Sequence, residues 1–248
     1  MSAKEVVNQL KLLASPGKAA ELQRFFKTGS GDYAEGDIFL GVMVPQTRKI
    51  AAKFADLSSV EISTLMNSDF LEISKLTKSD FHEVRLCGLI ITTNQFKKAK
   101  ELSEKRTLFK SYLEALKAGN INNWDLVDVS APTMGEYLLR VTDPMKVLNR
   151  LAKSRSLWER RASVIFTFAF LRAGELEPTY LMAEKLLKDE HDLMHKAVGW
   201  MLREMGKRDL GLLRAFLKEH CTEMPRTALR YAIEKMSETE RKKWLLAK

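Results

Sequence analysis

The chain has 248 residues, of which 45% are hydrophobic and 29% are charged, a composition typical of a globular protein with a buried core. The sequence has no apolar run long enough to span a bilayer and no apolar signal-peptide core at its N-terminus, so we expect a cytoplasmic protein. Cys87 and Cys221 have neither the spacing of a disulfide framework nor that of a CxxC motif, so we expect no structural zinc site. Forty-one Lys and Arg against 32 Asp and Glu give a formal charge of +9, which favours a nucleic-acid partner without defining the fold.

Helical periodicity covers most of the chain. Apolar residues recur at three- and four-residue spacing, whereas alternation typical of strands is scarce, so the sequence predicts an all-α fold. The clearest helical segments are ELQRFF (21–26), TRKIAAKFADL (47–57), RTLFKSYLEALKAG (106–119), PTYLMAEKLLKD (178–189) and GLLRAFLKEH (211–220).

Residues 27–45 depart from this pattern. They contain Gly29, Gly31, Gly36, Gly41 and Pro45, which predicts a loop. The glycines follow no strand and precede no Lys-Ser/Thr pair, so we interpret the segment as a connection and not as a phosphate-binding loop.

Four later segments share a pattern in which a basic residue stands just ahead of a small and apolar helix. They are HEVRLCGLIITT, LWERRASVIFTF, LMHKAVGWMLRE and PRTALRYAIEKM, with Arg85, Arg161, Lys196 and Arg226 as the basic residues. Arg85 and Arg161 are 76 positions apart, which leaves room for one more unit near Asp125. Such spacing predicts a single HEAT-like helical repeat domain over residues 1–248, an α-α superhelix whose second helices line a concave face.

Trp124 and Asp128 are four positions apart and therefore share one face of a predicted helix. Asp125 is a rival carboxylate, but with Asn122 as helix cap it would sit at the third helical position, where a carboxylate suits the helix dipole. Asp128 has no such local role. Its spacing leaves open whether it is solvated, paired with a cation or functional.

A second pair, Trp158 and Arg161, lies on the helix of the next repeat. Arg161 could neutralise a buried acid, lie against a tryptophan or hold a phosphate, and it would be the natural partner of Asp128 if the two helices stack. Arg160 points about 100° away and serves the surface or the next repeat.

A third helix carries Lys196, Trp200, Arg203 and Lys207 on one face. Cations flanking an aromatic residue on one stripe suit a helix that faces duplex DNA. The same periodicity fits a solvated basic face with Trp200 at the edge of the core.

Together, these motifs resemble the AlkD-type DNA alkylation-repair glycosylases. The likeness runs from about residue 20 to residue 236 and rests on the ordered segments FLGVMVPQTRKIAAKF, NNWDLVDVSAP, LWERRASVIF, HKAVGWMLREMGK and MPRTALRYAIEK. The resemblance implies a HEAT-like solenoid with a basic concave face. It assigns the catalytic carboxylate to Asp128, an aromatic wall to Trp124, the active-site arginine to Arg161 and a second aromatic to Trp200.

That family resemblance implies a DNA-repair enzyme that removes cationic N3- or N7-alkylated purines from duplex DNA. Such a base leaves as a neutral species, so a single carboxylate and tryptophan faces suffice to stabilise an oxocarbenium-like sugar and direct water. No lysine nucleophile is evident, and we expect a monofunctional glycosylase that needs no cofactor and acts as a monomer. The residues expected to contact DNA are Lys196, Arg203, Lys207, Trp158 and Arg160.

One alternative stays open at this point. A HEAT-like scaffold could bind nucleic acid or an acidic protein without chemistry. His191 and His195 have the spacing of a zinc-binding helix, but no third ligand with suitable spacing accompanies them, so we expect no metal. The sequence does not decide which alkyl adduct is preferred. It also does not decide whether loop 29–37 and the basic C-terminus around Trp244 contact DNA.

Overall fold

The computed structural model describes residues 2–58 and 81–247. These residues form helices joined by short connections, and the only β pairing among them is an isolated bridge between Ile38 and Phe81. The all-α prediction is therefore confirmed. Among the described helices, none combines the length and the apolar character needed to cross a membrane.

The chain divides into two compact units, Met1–Ser130 and Ala131–Lys248, and the division falls inside one helix, Trp124–Met134. Each unit is described by itself below. The single repeat domain over 1–248, its superhelical arrangement and its basic concave face stay predictions.

The first unit is built around one long buried helix. Its helices are α1 (Ala3–Leu12), α2 (Pro16–Phe25), α3 (Val44–Lys53), α4 (His82–Lys98), α5 (Leu102–Lys117) and the start of α6 (Trp124–Met134). Helix α4 is buried on nearly all sides over its first twelve residues, and α1 and α3 pack against it. A helix buried all round carries no amphipathic stripe, so its polar residues must find partners within the protein.

The second unit consists of paired helices. After a 3-10 turn (Gly135–Arg140) come α7 (Pro144–Ala152), α8 (Leu157–Ala173), α9 (Glu177–Lys185), α10 (Asp192–Gly206), α11 (Leu210–His220), α12 (Arg226–Ala232) and α13 (Glu238–Leu246). Helices α8, α10 and α12 pack side by side in that order, while α7 and α9 lie against α8 and α11 lies against α10. The sequence pattern predicts repeats of two helices each, and this repeat architecture stays a prediction.

Local signals explain where these helices start and stop. The side chains of Asp143, Ser156 and Asp209 accept backbone N–H bonds at the first turns of α7, α8 and α11. Gly174 ends α8 in the left-handed conformation, with φ of 86°. Pro132 inside α6 has no N–H to donate, and the helix gives way to the 3-10 turn at Gly135.

Gly199 permits a close helix contact. A Cβ added there would overlap the backbone carbonyl of Ala228 and come within 2.5 Å of Tyr231 Cβ. Helices α10 and α12 therefore approach more closely at this point than any larger residue would allow. The contact fixes the helix position of the neighbouring Trp200.

Candidate active site

Trp124 and Asp128 both lie on α6, as predicted, and both are half-buried. Trp124 is the first residue of the helix and Asp128 follows one turn later. Because residues four apart stand above one another on a helix, the indole and the carboxylate belong to the same face. The first unit thus presents an aromatic ring beside a carboxylate.

The ring of Trp124 belongs to a stack of aromatic side chains. Trp124 lies on Phe26 with centroids 5.3 Å apart, Phe26 lies on Phe39 at 5.1 Å, and Phe39 lies on the imidazole of His82 at 4.5 Å. Phe25 meets Trp124 edge-on at 6.1 Å, and 65% of Phe25 is exposed. Such packing holds an indole in one orientation.

A polar network lies beside this stack. The two ring nitrogens of His82 face two carboxylates, with Nδ1 3.1 Å from Oδ2 of Asp37 and Nε2 2.8 Å from Oδ2 of Asp125. Arg85 donates to Oδ1 of Asp37 at 2.6 Å and to Oδ1 of Asn122 at 3.0 Å. Asn122 in turn donates to Asp37 at 2.9 Å. His82, Arg85 and Asp37 are each less than 5% exposed, so these bonds form away from water.

The network shifts the pKa values of its members. Burial alone would lower the pKa of His82, but the charge and hydrogen bond of Asp125, together with the hydrogen bond to Asp37, outweigh burial and the nearby Arg85 and raise the pKa to about 9. Burial alone would raise the pKa of Asp37, but its bonds to His82 and Asn122 and the charges of Arg85 and His82 lower it to about 2. At neutral pH, His82 is therefore an imidazolium between two carboxylates.

This network corrects the role expected for Asn122 and Asp125. The cap of α6 is Asn123, whose side-chain oxygen accepts from the Trp124 N–H at 2.8 Å and whose carbonyl accepts from Val127. Asp125 is therefore the second helical residue, and one of its oxygens binds His82. The capping prediction was wrong because the partners of Asn122 and Asp125 lie about 40 and 85 residues away in the chain.

Asp128 is close enough to Tyr112 to affect its ionisation. Tyr112 is fully buried, with its hydroxyl 3.1 Å from Oγ of Ser130. Burial and the negative charge of Asp128 raise the pKa of Tyr112, against the opposing effect of its hydrogen bond to Ser130. A Tyr112 that stays neutral adds no second negative charge beside Asp128.

In the second unit, Arg161 is buried in the first turns of α8, with 4% of the residue exposed. Its Nη1 donates to the backbone carbonyl of Leu193, at the start of α10. Arg161 therefore ties the N-terminal ends of α8 and α10 together. Its predicted role as partner of Asp128 stays a prediction.

The two tryptophans of the second unit differ in exposure. Trp200 is half-buried on α10, with its ring 6.1 Å from that of Phe168. Arg172 lies over the other ring of this pair, 4.6 Å from the centroid of Phe168. Trp158 is 8% exposed and occupies a core position. Its predicted contact with DNA stays a prediction, and its burial counts against it.

The cations predicted to contact DNA have acidic neighbours within the second unit. These pairs are Lys196 with Asp192 (2.7 Å), Arg203 with Glu234 and Glu204, Lys207 with Glu204 (2.7 Å), and Arg160 with Asp189 (2.6 Å). Pairs on partly exposed surfaces contribute at most about 1 kcal/mol, so a phosphate can compete for such cations. Arg160 is held most firmly, since it also donates to the carbonyls of Ser154 and Arg155.

The two histidines with zinc-like spacing bind the protein backbone. Nδ1 of His191 accepts from the Leu193 N–H, and Nε2 of His195 lies close to the Asp189 carbonyl. Within the described residues, the group with metal-ligand geometry is elsewhere and consists of Glu184, Glu219 and His220, with ligand atoms within 4.8 Å of one another. Both of its glutamates are exposed, and His220 Nε2 lies 3.8 Å from each carboxylate.

Sequence reasoning missed Asp37, His82, Arg85 and Phe25. His82 and Arg85 did carry a signal, because they stand with Glu83 in the first turn of a helix whose next residues are mostly apolar, and charged side chains must be paired once buried. Asp37 and Phe25 carried none, since only the fold brings their segments to the start of α6.

Comparison with known proteins matched the chain to a protein family and to solved structures. A family model described as DNA alkylation repair enzyme matches residues 6–236. Among solved structures, the chain is similar to a predicted DNA alkylation repair enzyme from Enterococcus faecalis, with a TM-score of 0.66 and 14% sequence identity, over 91% of this chain and 97% of that chain. At this identity the likeness supports the fold alone. A comparison with curated proteins found no match.

Proposed function

The chain belongs to the DNA alkylation repair enzyme family, and from this premise we propose that it is a monofunctional glycosylase acting on cationic N3- or N7-alkylated purines in duplex DNA. The family resemblance expected from the sequence motifs is confirmed by the match over 6–236. The observation that carries the finer proposal is the pair on α6, where a half-buried carboxylate, Asp128, shares a face with the fixed ring of Trp124.

The chemistry of the lesion explains why this pair suffices. Alkylation at N7 or N3 makes the purine cationic, so the base departs as a neutral molecule without protonation by a general acid. Ordinary glycoside hydrolysis requires a second carboxyl group for that purpose. The protein has to stabilise positive charge on the sugar and place a water molecule at C1′.

We assign the first task to Asp128 and Trp124 together. A carboxylate in a half-buried setting stabilises an oxocarbenium-like sugar more strongly than one in bulk water, because the local dielectric is lower. The face of Trp124 attracts positive charge through its quadrupole. Asp128 also accepts a hydrogen bond from the attacking water. By resemblance to the family, we also propose active-site roles for Arg161 and for the aromatic ring of Trp200.

For the partner, we propose duplex DNA approached from its backbone side, on a basic concave face that includes Lys196, Arg203 and Lys207. Recognition of this kind leaves the lesion outside a closed pocket and admits bulky adducts. The product would be an abasic site without strand cleavage, formed by a monomer in the cytoplasm.

The proposal is tested on a duplex that carries one N7-methylguanine. The protein is incubated with this DNA, and abasic sites are converted to strand breaks with hot alkali. We expect cleavage by the wild type and by Asp56→Asn, in which an exposed aspartate outside the site is changed. Asp128→Asn should bind the same DNA and leave it uncleaved.

Other results would contradict the proposal in distinct ways. Equal cleavage by Asp128→Asn would remove the carboxylate from the mechanism. DNA binding without excision of N7- or N3-alkylpurines by the wild type would favour a HEAT-like scaffold that performs no chemistry. Strand breaks before alkali treatment would show that the enzyme is not monofunctional.

A further inference from the structure

The first turn of α4 contains three charged side chains, His82, Glu83 and Arg85, and all of them are buried. Buried charges persist only where each has partners, since an unpaired one costs several kcal/mol. The partners of these three residues come from two separate segments of the chain, the connection 27–43 and the start of α6.

Glu83 fixes the first of these segments. Its carboxylate accepts the backbone N–H groups of Leu40 at 2.9 Å, Gly41 at 2.8 Å and Val42 at 3.1 Å. Ile38 adds a backbone bond by accepting from the His82 N–H at 2.8 Å. The segment that carries Asp37 is therefore attached to α4 at defined points.

His82 and Arg85 fix the second segment. His82 bonds to Asp125, and Arg85 bonds to Asn122, so α4 holds residues on both sides of Trp124. We propose that Asp37, His82 and Arg85 are positioning residues, which set the ring of Trp124 and the direction of Asp128 by binding the start of α6. The inference rests on the function proposed above for these two side chains.

Two routes lead from His82 to consecutive residues of α6. The polar route runs directly from the imidazole to Asp125. The aromatic route runs through Phe39 and Phe26 to Trp124. Because both routes start at the imidazole of His82, a change in its position or charge affects both Trp124 and Asp125 at the start of α6.

Asp128 follows one turn later on the same helix and moves with it. Catalytic groups must be held within about 0.5 Å of their productive geometry, and a displacement of about 1 Å can reduce turnover about 100-fold. A small rotation of α6 would therefore impair turnover while leaving the DNA-contacting surface of the second unit unchanged.

The arrangement also predicts a dependence on pH. The groups that face His82 are Asp37 from the connection, Asp125 from α6, Arg85 from its own helix, and the rings of Phe26 and Phe39. Both ring nitrogens need a proton to satisfy both carboxylates. Loss of one proton leaves a carboxylate facing a lone pair, and Asp125, the more exposed acid at 14%, is the one able to turn away.

The first experiment compares wild type with His82→Gln in single-turnover excision across pH 7 to 10, with separate DNA-binding measurements. We expect the excision rate of His82→Gln to fall between roughly 10- and 100-fold, with a much smaller change in the dissociation constant. Wild-type turnover should decline above about pH 9, and this decline should be absent in the variant. His220→Gln is the matched control, because His220 also faces two carboxylates but lies in α11.

A second readout does not require activity. The indole N–H signal of Trp124 is assigned in ¹⁵N-labelled protein with a Trp124→Phe variant. His82→Gln should shift this signal and leave those of Trp158, Trp200 and Trp244 in place. In wild type, the Trp124 signal should titrate with a midpoint near pH 9. An unmoved Trp124 signal would overturn the positioning role whether or not the enzyme excises alkylpurines.

Asp125→Asn covers the case in which His82→Gln fails to fold. The amide can still accept a hydrogen bond from His82 but carries no charge, so the alkaline decline and the titration of Trp124 should move to lower pH. An unchanged midpoint would contradict the inference.

Normal excision by His82→Gln with an intact alkaline decline would remove the positioning role and leave the glycosylase proposal standing. Conversely, an inactive wild type with a titrating Trp124 would remove only the glycosylase proposal.

Discussion

Phe25 meets Trp124 edge-on, with ring centroids 6.1 Å and planes 70° apart, and it keeps 65% of its surface exposed. A phenylalanine this exposed contributes little to the core, and a single exposed apolar residue needs no special explanation. This one, however, extends the aromatic surface of Trp124 outward. Phe25 and Trp124 together form an aromatic surface that a sugar or an unstacked base can contact.

Replacement of this ring should weaken DNA recognition without unfolding the protein. We expect Phe25→Ala to reduce the affinity for alkylated duplex roughly 5- to 20-fold, since one aromatic contact with nucleic acid contributes about 1–3 kcal/mol. Fluorescence anisotropy with labelled DNA measures the effect. Leu12→Ala, at another highly exposed apolar position in α1, should leave affinity unchanged. Equal losses of affinity in both variants would show that the aromatic surface of Phe25 and Trp124 has no specific role.

Stability should fall at both ends of the pH scale because of the buried network. Asp37 has its pKa lowered from 3.8 to about 2, so its contribution is present above pH 3.8 and is lost as pH falls toward 2. His82 has its pKa raised from 6.5 to about 9, so its contribution is complete below pH 6.5 and is lost as pH rises through 9. Urea unfolding measured from about pH 2 to pH 10 should give this profile.

Asp37→Asn removes the acid that His82 and Arg85 share. Two buried cations would then keep only the carboxylate of Asp125 nearby, and breaking such a network costs about 3–5 kcal/mol. We expect a lower midpoint of urea unfolding at pH 7. The fall in stability below pH 3.8 that Asp37 causes in the wild type should be absent. Asp32→Asn, in the same connection but exposed, should have the midpoint of the wild type. Similar midpoints for both variants would contradict the buried pairing.

Gly199→Ala should destabilise the packing of α10 on α12. The added methyl would overlap the carbonyl of Ala228 and Tyr231 Cβ, so the helices must separate, at a cost of about 1–3 kcal/mol. Thermal unfolding measures the loss. Gly17→Ala in α2 is the matched control, because nothing lies within 4 Å of its added methyl and alanine favours helix. A Gly199→Ala protein as stable as Gly17→Ala would show that α10 and α12 are not in tight contact.

The basic stripe on α10 can be tested by the salt dependence of DNA binding. Each cation that contacts a phosphate contributes about 0.9 to the slope of log K against log salt concentration. Lys196→Ala, Arg203→Ala and Lys207→Ala should each lower the slope by about one. Glu234→Gln should raise affinity, because it removes one of the two acids paired with Arg203. Lys110→Ala, an exposed and paired lysine of α5, is the control.

Helix content and family followed from the sequence because their signals are local. Apolar residues at three- and four-residue spacing predicted α9 and α11, and the i, i+4 relation placed Trp124 with Asp128 on one helix face. The order of these motifs along the chain predicted the family that the match over 6–236 confirms.

The supports of the candidate site could not be predicted in the same way. Asn122 and Asp125 have the residue types of a helix cap, and local rules assign them that role. Their actual partners are Asp37, His82 and Arg85, which reach them only after the chain has folded back. Likewise, periodicity could not show that Arg203 is paired with Glu234, because Glu234 lies in the turn that follows α12.

Glu83 has a consequence for the synthesis of the chain. The N–H groups of Leu40, Gly41 and Val42 leave the ribosome about forty residues before the carboxylate that accepts them. At about 5–20 residues per second, this interval lasts several seconds, during which the segment has no anchor on α4. The N-terminal helices can form early, but they cannot take up their final arrangement until α4 has been synthesised. We therefore expect a nascent chain that stalls before residue 83 to be susceptible to proteolysis between residues 27 and 43.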